Sequence, residues 1–191
     1  HGVFRRQRQM CIRDRSYAKS AIINKGQKKY GLIELPKFYV DFKDYGERNA
    51  ATDVKKILEQ FKSNFVDGIV IDLRNNGGGS LKTVVDMTGY FIEEGPVVQV
   101  KSTGGRKEVL KDTNSSLIWD GPLVVLVNEF SASASEIIAA ALQDYRRAII
   151  LGSNQTYGKG TVQNVIDLNN IISVNQYGDL GALKITTDKF Y

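Results

Sequence analysis

Two segments of the chain repeat one order of elements: an apolar run, a loop of small and polar residues, and a helix-forming stretch. The first segment reads GIVIDLRNNGGGSLKTVV (68–85), and the second reads PLVVLVNEFSASASEIIAAAL (122–142). Unbroken apolar runs of this length are typical of strands that are buried on both faces in a parallel sheet. In such sheets, sites gather where the strands end, so we expect the two loops to lie close together. This order predicts an α/β domain with a partly parallel sheet and flanking helices.

The remaining patterns fit the same fold class. Apolar residues at helical spacing predict an amphipathic helix in AATDVKKILEQFKSN (50–64). Strands are predicted in KYGLIELPKFYVDF, PLVVLV, AIILG, GTVQNVIDL and GALKITTDKFY, and a hairpin is predicted where PVVQVKS and RKEVLK flank TGG. We therefore expect one folded core over residues 29–191, and we interpret residues 1–28 as a basic head that is disordered or a sequence artefact.

The net charge of +5 misrepresents the folded part of the chain. Residues 1–30 contain nine basic residues and one acidic residue, whereas residues 31–191 contain 17 basic and 20 acidic residues. A nucleic-acid-binding protein needs basic residues spread over a folded face, so we expect no nucleic-acid partner. The single cysteine, Cys11, cannot form an internal disulfide or a cysteine-rich zinc site. We expect neither a metal nor a cofactor.

Three consecutive glycines, Gly77, Gly78 and Gly79, form the centre of the first loop. Glycines suit a backbone that turns sharply or approaches a ligand closely, but they also suit an ordinary flexible loop. The local sequence leaves both interpretations open. A phosphate-binding loop is not supported elsewhere, because GSNQTYGKGT has the wrong glycine spacing for that motif.

The second loop places serines at alternate positions, Ser131, Ser133 and Ser135. SASE (133–136) fits the capping box S-x-x-E, in which Ser133 would be the N-cap and Glu136 would bond back to it. The alternative is that Ser133 is a nucleophile at a helix N-terminus, where the N–H of Ala134 would bind a developing oxyanion.

A nucleophilic serine needs a base, and the only histidine is His1, in the basic head. A lysine can replace histidine if its amine is kept neutral. Lys159 is the only lysine between Lys111 and Lys184, and glycines flank it in TYGKGTVQ. In an extended segment Gln163 would share a face with Lys159 and could hold its amine without adding charge. A solvated loop lysine is the alternative interpretation.

Four motifs occur in order: DGIVIDLRNNGGGSL, GPLVVLVNEFSASASEI, ALQDYRRA and TYGKGTVQ. Together they resemble the carboxyl-terminal processing proteases, most closely their tail-specific protease branch. The resemblance covers about residues 29–191. It implies a crotonase-like, Clp-protease-like α/β core and a serine endopeptidase with a Ser–Lys dyad. It also implies protein substrates with apolar, unstructured C-termini, and a location in the bacterial cell envelope, periplasmic or membrane-associated.

The resemblance also assigns roles by motif. Ser133 would be the nucleophile, Lys159 the general base and Gln163 its orienting partner. The oxyanion hole would consist of the backbone N–H groups of Ala134 and of Gly79 or Gly78. Glu136 and Asp144 would be supporting residues, and Arg147 would form an ion pair with Asp144 at i, i+3.

The chain departs from the family pattern in two respects. The loop GSNQTYGKG is one residue longer than usual, and no PDZ-like domain, which captures substrate tails in the family, is visible. A PDZ-type domain or adaptor would then act from outside this chain. Two alternatives stay open: a non-catalytic module that binds peptide tails on the same fold, and a crotonase-like enzyme acting on an acyl thioester.

Overall fold

The computed structural model describes residues 17–41, 48–113, 117–172 and 178–191. The strands are β1 (Lys19–Lys25), β2 (Lys28–Glu34), β3 (Gly68–Asp72), β4 (Gly95–Ser102), β5 (Lys107–Asp112), β6 (Leu123–Val127), β7 (Ile149–Gly152), β8 (Thr161–Asp167) and β9 (Ala182–Phe190). The α-helices are α1 (Ala50–Ser63), α2 (Leu81–Thr88) and α3 (Ala134–Asp144), and a 3₁₀ turn spans Leu168–Asn170. The α/β class with a partly parallel sheet is confirmed.

The larger sheet has five strands in the order β1-β2-β3-β6-β7. β1 and β2 are antiparallel, whereas β2, β3, β6 and β7 are mutually parallel. The two apolar runs that begin the repeated segments, β3 and β6, are neighbours at the centre, with Ile71 opposite Val125. Their carboxyl ends therefore lie side by side, and the glycine loop and the serine loop leave the sheet from adjacent points.

One apolar core joins this sheet to the three helices. Ile33, Ile71 and Val125 from the sheet are fully buried and belong to the same cluster as residues of α1, α2 and α3. α1 packs so closely on β2 that a Cβ added to Gly31 would overlap the Phe61 ring. The helical spacing predicted for α1 is confirmed, because the residues at that spacing form its buried face.

The smaller sheet has four antiparallel strands in the order β5-β4-β9-β8. β4 and β5 form the predicted hairpin. β8 is an edge strand, and its pairing with β9 shifts register between Val162 and Gln163. Such bulges bend a strand and are common next to active sites. Because β8 begins two residues after Lys159, the bulge lies three to four residues along the chain from the predicted base.

The structure corrects the prediction for part of the basic head. Residues 19–25 form β1, which pairs with β2 in seven consecutive residue pairs and ends in a turn at Gly26 with φ 62°. The strand was missed because its exposed face carries lysines, which weaken the apolar pattern. Residues 1–16 lie outside the described ranges. None of the helices in those ranges is both long and apolar enough to cross a lipid bilayer.

Candidate active site

The glycine loop and the serine loop are joined by hydrogen bonds between asparagines and backbone. The Asn75 N–H donates to Asn128 Oδ1 (2.9 Å), and Asn128 Nδ2 donates to Asn75 Oδ1 (3.0 Å). The Ala132 N–H donates to the carbonyl oxygen of Asn76 (3.0 Å). The two loops therefore form one unit at the carboxyl ends of β3 and β6.

The serines on either side of Ser133 strengthen this unit. Both are fully buried: Ser131 Oγ donates to the Leu73 carbonyl (2.8 Å), and Ser135 Oγ donates to the Asn76 carbonyl (2.9 Å). Ser131 Oγ also accepts the Asn128 N–H (2.9 Å). A buried hydroxyl that satisfies backbone groups has a fixed position, so Ser133 is held on both sides.

Ser133 itself adopts a backbone conformation that L-residues rarely occupy, with φ 56° and ψ −114°. Such outliers persist only where the surroundings enforce them, and they cluster at functional sites. The predicted capping box between Ser133 and Glu136 is present. The Ser133 N–H donates to Glu136 Oε2 (2.7 Å), and the Glu136 N–H donates to the Ser133 carbonyl (2.9 Å). The Glu136 carboxylate therefore makes the shorter of these two hydrogen bonds at the start of α3.

The glycine loop needs its glycines. Gly78 and Gly79 have φ of 99° and 148°. A Cβ on Gly78 would lie 2.7 Å from Ser133 Cβ and 3.1 Å from the Ala134 nitrogen, and a Cβ on Gly79 would overlap the Phe38 carbonyl. Of the two interpretations left open for this loop, the structure supports close backbone approach.

The structure separates the two candidate oxyanion donors in the glycine loop. The Gly78 N–H donates to Asn76 Oδ1 (2.8 Å) and is therefore occupied. Within the part of the chain that the structure describes, the N–H groups of Gly79 and Ala134 have no acceptor. Because a Cβ on Gly78 would lie only 3.1 Å from the Ala134 nitrogen, the glycine loop closely approaches the start of α3 beside Ser133.

Glu136 connects the serine helix to the loop that carries Lys159. Its Oε2 accepts the N–H of Ser133 (2.7 Å) and the N–H of Lys159 (3.0 Å). Its Oε1 accepts the Gly158 N–H (2.6 Å) and the Thr156 hydroxyl (2.7 Å). A single carboxylate oxygen thus links the backbones of the two residues predicted to form the dyad.

A cleft of about 620 Å³ brings the predicted residues together. Its walls include Gly77, Gly78, Gly79, Ser133, Ala134, Lys159 and Gln163. Ser133 and Lys159 both line this cleft, and the hydrogen bonds that the described structure gives these two residues are made by their backbones rather than between their side chains. Catalytic hydrogen bonds are often long in unliganded enzymes and shorten when substrate binds.

One ion pair lies at the end of β3, and a second, predicted pair does not form. At the end of β3, Arg74 forms a bidentate pair with Asp72, with an N–O distance of 2.6 Å, and the guanidinium hydrogen bonds hold the pKa of Asp72 below its ordinary value. The predicted pair between Asp144 and Arg147 is wrong. α3 ends at Asp144, and Arg146 has φ 53°, so the helical i, i+3 geometry is lost.

Arg147 instead donates to the Trp119 carbonyl (2.7 Å), and burial lowers the pKa of its guanidinium. Asp144 is exposed and lies outside the cleft that contains Ser133.

In the described ranges, no three His, Cys, Asp or Glu side chains are grouped as a metal ion would require.

Sequence reasoning missed the residues that fix the loops: Asn76, Asn128, Thr156 and the hydrogen-bonding roles of Ser131 and Ser135. Asn76 is fully buried, donates to the Leu35 carbonyl (2.8 Å) and accepts the Gly78 N–H. A polar side chain directly after a buried strand is a usable signal. Its partners could not be identified, because they are distant in the sequence.

Comparison with known proteins places this geometry in a family. The model of a family described as peptidase family S41 matches residues 29–191. A tail-specific protease of Haemophilus influenzae is 44% identical over 164 residues, which cover 86% of this chain and 22% of that protein. A carboxy-terminal-processing protease of Bartonella bacilliformis is 40% identical over 153 residues, covering 78% of this chain and 32% of that protein. The chain thus spans less than a third of either relative.

Solved structures agree on the fold. A photosystem II D1 C-terminal processing protease matches with a TM-score of 0.70 at 25% identity, covering 91% of this chain and 43% of that one. An S41 protease from Bacteroides fragilis matches with a TM-score of 0.69 at 19% identity, covering 91% of this chain and 45% of that one.

Proposed function

The chain belongs to peptidase family S41, and from this premise we propose that it forms the catalytic core of a serine endopeptidase with a Ser133–Lys159 dyad. One observation carries the proposal. A single cleft is lined by Ser133, Lys159 and the residues that own two unoccupied backbone donors, Ala134 and Gly79. This is the combination of groups that acyl transfer needs: a nucleophile, a base and a place for the oxyanion.

The proposed reaction uses each of these groups in turn. Ser133 Oγ attacks the carbonyl carbon of the scissile amide while its proton passes to the neutral Lys159 amine. The carbonyl oxygen becomes an oxyanion, which accepts hydrogen bonds from the Ala134 and Gly79 N–H groups. The C–N bond breaks, and Lys159 returns the proton to the leaving amine. Water then attacks the acyl-enzyme by the same path, releases the acid and restores Ser133.

Two further side chains support the dyad. Gln163 lines the cleft four residues after Lys159 and can accept a hydrogen bond from the amine without adding a charge that would keep it protonated. Glu136 acts at a distance from the reacting atoms, since its carboxylate holds the backbones of Ser133 and Lys159. It is a positioning residue.

The walls of the cleft also favour a class of substrate. Pro36, Leu81, Ile137, Val162 and Phe190 line it, and these apolar side chains suit apolar peptide segments. We propose that the substrates are proteins with apolar, unstructured C-termini, presented by a PDZ-type domain or an adaptor outside this chain. We also propose a location in the bacterial cell envelope.

The test compares full-length wild-type protein with Ser133→Ala and Lys159→Ala on a substrate that has an apolar tail. Both variants should lose at least about 10³-fold in kcat. Ser63→Ala and Lys55→Ala are matched controls, because both residues are exposed on α1, away from the cleft. Normal turnover in both Ser133→Ala and Lys159→Ala would refute the dyad.

A non-catalytic peptide-binding module is the second candidate, and one observation favours it. β8 is an edge strand whose first four residues line the cleft, so an extended peptide could pair with it by strand addition. Mass spectrometry of a tail peptide after long incubation separates the two functions. Binding without any cleaved product supports the module, whereas product formation that depends on Ser133 excludes it.

A further inference from the structure

The cleft that contains Ser133 is lined by basic residues and by no acidic ones among the described lining residues. Lys37, Lys159 and Lys184 all contribute to its walls. This contrasts with the chain around it, since residues 31–191 hold 17 basic and 20 acidic residues. A cleft with one sign of charge concentrates the electrostatic field inside it and attracts ligands of the opposite sign. The proposed base accounts for one lysine and leaves two without a role.

Lys184 is the better placed of these two lysines. It lies within β9, directly opposite Val165 of β8, while Gln163 pairs with Thr186. Lys184 is therefore the diagonal neighbour of Gln163, a separation of roughly 7–8 Å that long side chains can span. Lys37 belongs to an irregular segment after β2. A strand positions a side chain more firmly than a loop does.

Lys184 has no acidic partner within the described part of the chain. The residue is exposed, and no acidic side chain in the described ranges forms a salt bridge with it. Exposure alone does not distinguish Lys184 from an ordinary surface lysine. Its position does, because it lines the same cleft as the proposed nucleophile, oxyanion donors and base. Apolar residues such as Val162 and Phe190 line the same cleft, which lowers the screening of a bound charge.

We propose that Lys184 binds a carboxylate of the peptide substrate, close to the scissile bond. This inference rests on the proposed peptidase function and adds a specificity to it. An ammonium and a carboxylate form a charge-assisted hydrogen bond, the stronger kind in proteins. The carboxylate comes either from the free C-terminus of the substrate or from an Asp or Glu side chain. Apolar tails that carry one such group near the cut are then the preferred substrates.

The experiment uses three fluorogenic peptides of one apolar sequence: a free C-terminal acid, a C-terminal amide, and an amide with Glu replacing a Gln beside the scissile bond. Wild-type full-length protein should show about tenfold higher kcat/KM for a carboxylate-bearing peptide than for the neutral amide. The preferred peptide identifies the source of the carboxylate. Equal kcat/KM for all three peptides overturns the proposal.

Variants then assign the preference to one residue. In Lys184→Met the ratio between carboxylate and neutral peptides should fall to about one, and Lys184→Arg should retain most of it. Lys189→Met is the matched control, because Lys189 lies on the same strand outside the cleft lining and should keep the wild-type ratio. A ratio unchanged in Lys184→Met, or abolished instead by Lys37→Met, overturns the assignment.

A binding measurement separates this inference from the peptidase proposal. Dissociation constants for the three peptides are measured by fluorescence anisotropy in Ser133→Ala with and without Lys184→Met. If wild type cleaves none of the peptides, the peptidase proposal fails, and the ratio of dissociation constants still tests Lys184. If wild type cleaves all of them equally, the peptidase proposal stands and the role of Lys184 is refuted.

Discussion

Glu136 is the residue on which the geometry of the proposed dyad depends most. It receives four hydrogen bonds, two on each carboxylate oxygen, from both the serine segment and the lysine loop. An ionised carboxylate only accepts hydrogen bonds, so it can satisfy all four donors. The capping-box pattern indicated its bond to Ser133, but the bonds to the lysine loop span 20 to 23 residues and had no sequence signal.

Replacing Glu136 by Gln should therefore misplace the dyad. The amide keeps one acceptor oxygen but presents an NH₂ group to donors that need an acceptor. We expect kcat to fall about 10²-fold, with a much smaller change in KM, because a displacement of roughly 1 Å costs that much in a positioned reaction. Steady-state kinetics on the neutral peptide measures both parameters.

Glu129→Gln is the control for this variant. The Glu129 carboxylate also lies in the serine segment, but it is exposed and accepts the hydroxyl of Ser153, which is exposed too (2.8 Å). Its kcat should stay within about twofold of wild type, as surface substitutions usually do. If Glu136→Gln also changes kcat by less than twofold, the link between Ser133 and Lys159 has no catalytic consequence.

Two positions of the glycine loop, Gly77 and Gly79, permit a matched comparison. Gly79→Ala places a Cβ against the Phe38 carbonyl at φ 148°, whereas Gly77→Ala meets no atom within 4 Å. We expect Gly79→Ala to lose more than ~1 kcal/mol of unfolding free energy and ~10²-fold in kcat, since its N–H is a proposed oxyanion donor. Gly77→Ala should change stability by less than ~0.5 kcal/mol. Urea unfolding and steady-state kinetics measure the two quantities in both variants. Equal losses in Gly79→Ala and Gly77→Ala would contradict this account.

At the scale of elements, the repeated order of strand, loop and helix was predictable because burial imposes it. β3, β6 and the helices α2 and α3 follow from apolar runs and helical spacing alone. β1 could not be predicted in this way, because an exposed edge strand lacks the pattern of apolar residues that a buried face requires. The sequence also could not distinguish Gly79 from Gly78 as the proposed oxyanion donor. That distinction depends on the Asn76 side chain, whose oxygen accepts the Gly78 N–H.

The two serines that join the loops, Ser131 and Ser135, should contribute unequally to the free energy of unfolding. Ser131→Ala removes a donor to the Leu73 carbonyl, which still accepts the Asn76 N–H, and it also removes the acceptor of the Asn128 N–H. Ser135→Ala removes only one bond to the Asn76 carbonyl, which still accepts the Ala132 N–H. Leaving buried polar groups unpaired costs ~1–3 kcal/mol each. Urea denaturation should therefore show a larger loss for Ser131→Ala than for Ser135→Ala, and the reverse order would refute this hydrogen-bond assignment.

At the scale of the whole molecule, the proposed nucleophile and base belong to sheets of different burial. Ser133 follows β6, in which three of five residues are buried, and it is held by buried hydroxyls. Lys159 precedes β8, and neither β8 nor β9 contains a fully buried residue. β9 pairs with β4 over three residues, Val100 to Ser102, and backbone hydrogen bonds from Gln99 to Tyr191 and from Thr103 to Thr187 extend the contact. The serine side is thus part of the core, and the lysine side rests on a more exposed hairpin.

This asymmetry predicts unequal hydrogen exchange. Amides in strands with few buried contacts exchange through local opening, whereas core amides need near-global unfolding. We expect amides of β3 and β6 to exchange at least about 100-fold more slowly than those of β8 and β9, as measured by hydrogen–deuterium exchange with mass spectrometry. A tail peptide bound to Ser133→Ala should slow exchange in β8 but leave β5, the opposite edge of the same sheet, unchanged. Equal protection of both sheets in the free protein would mean that the hairpin of β8 and β9 is as stable as the core. There would then be no reason to expect peptide binding to slow exchange in β8.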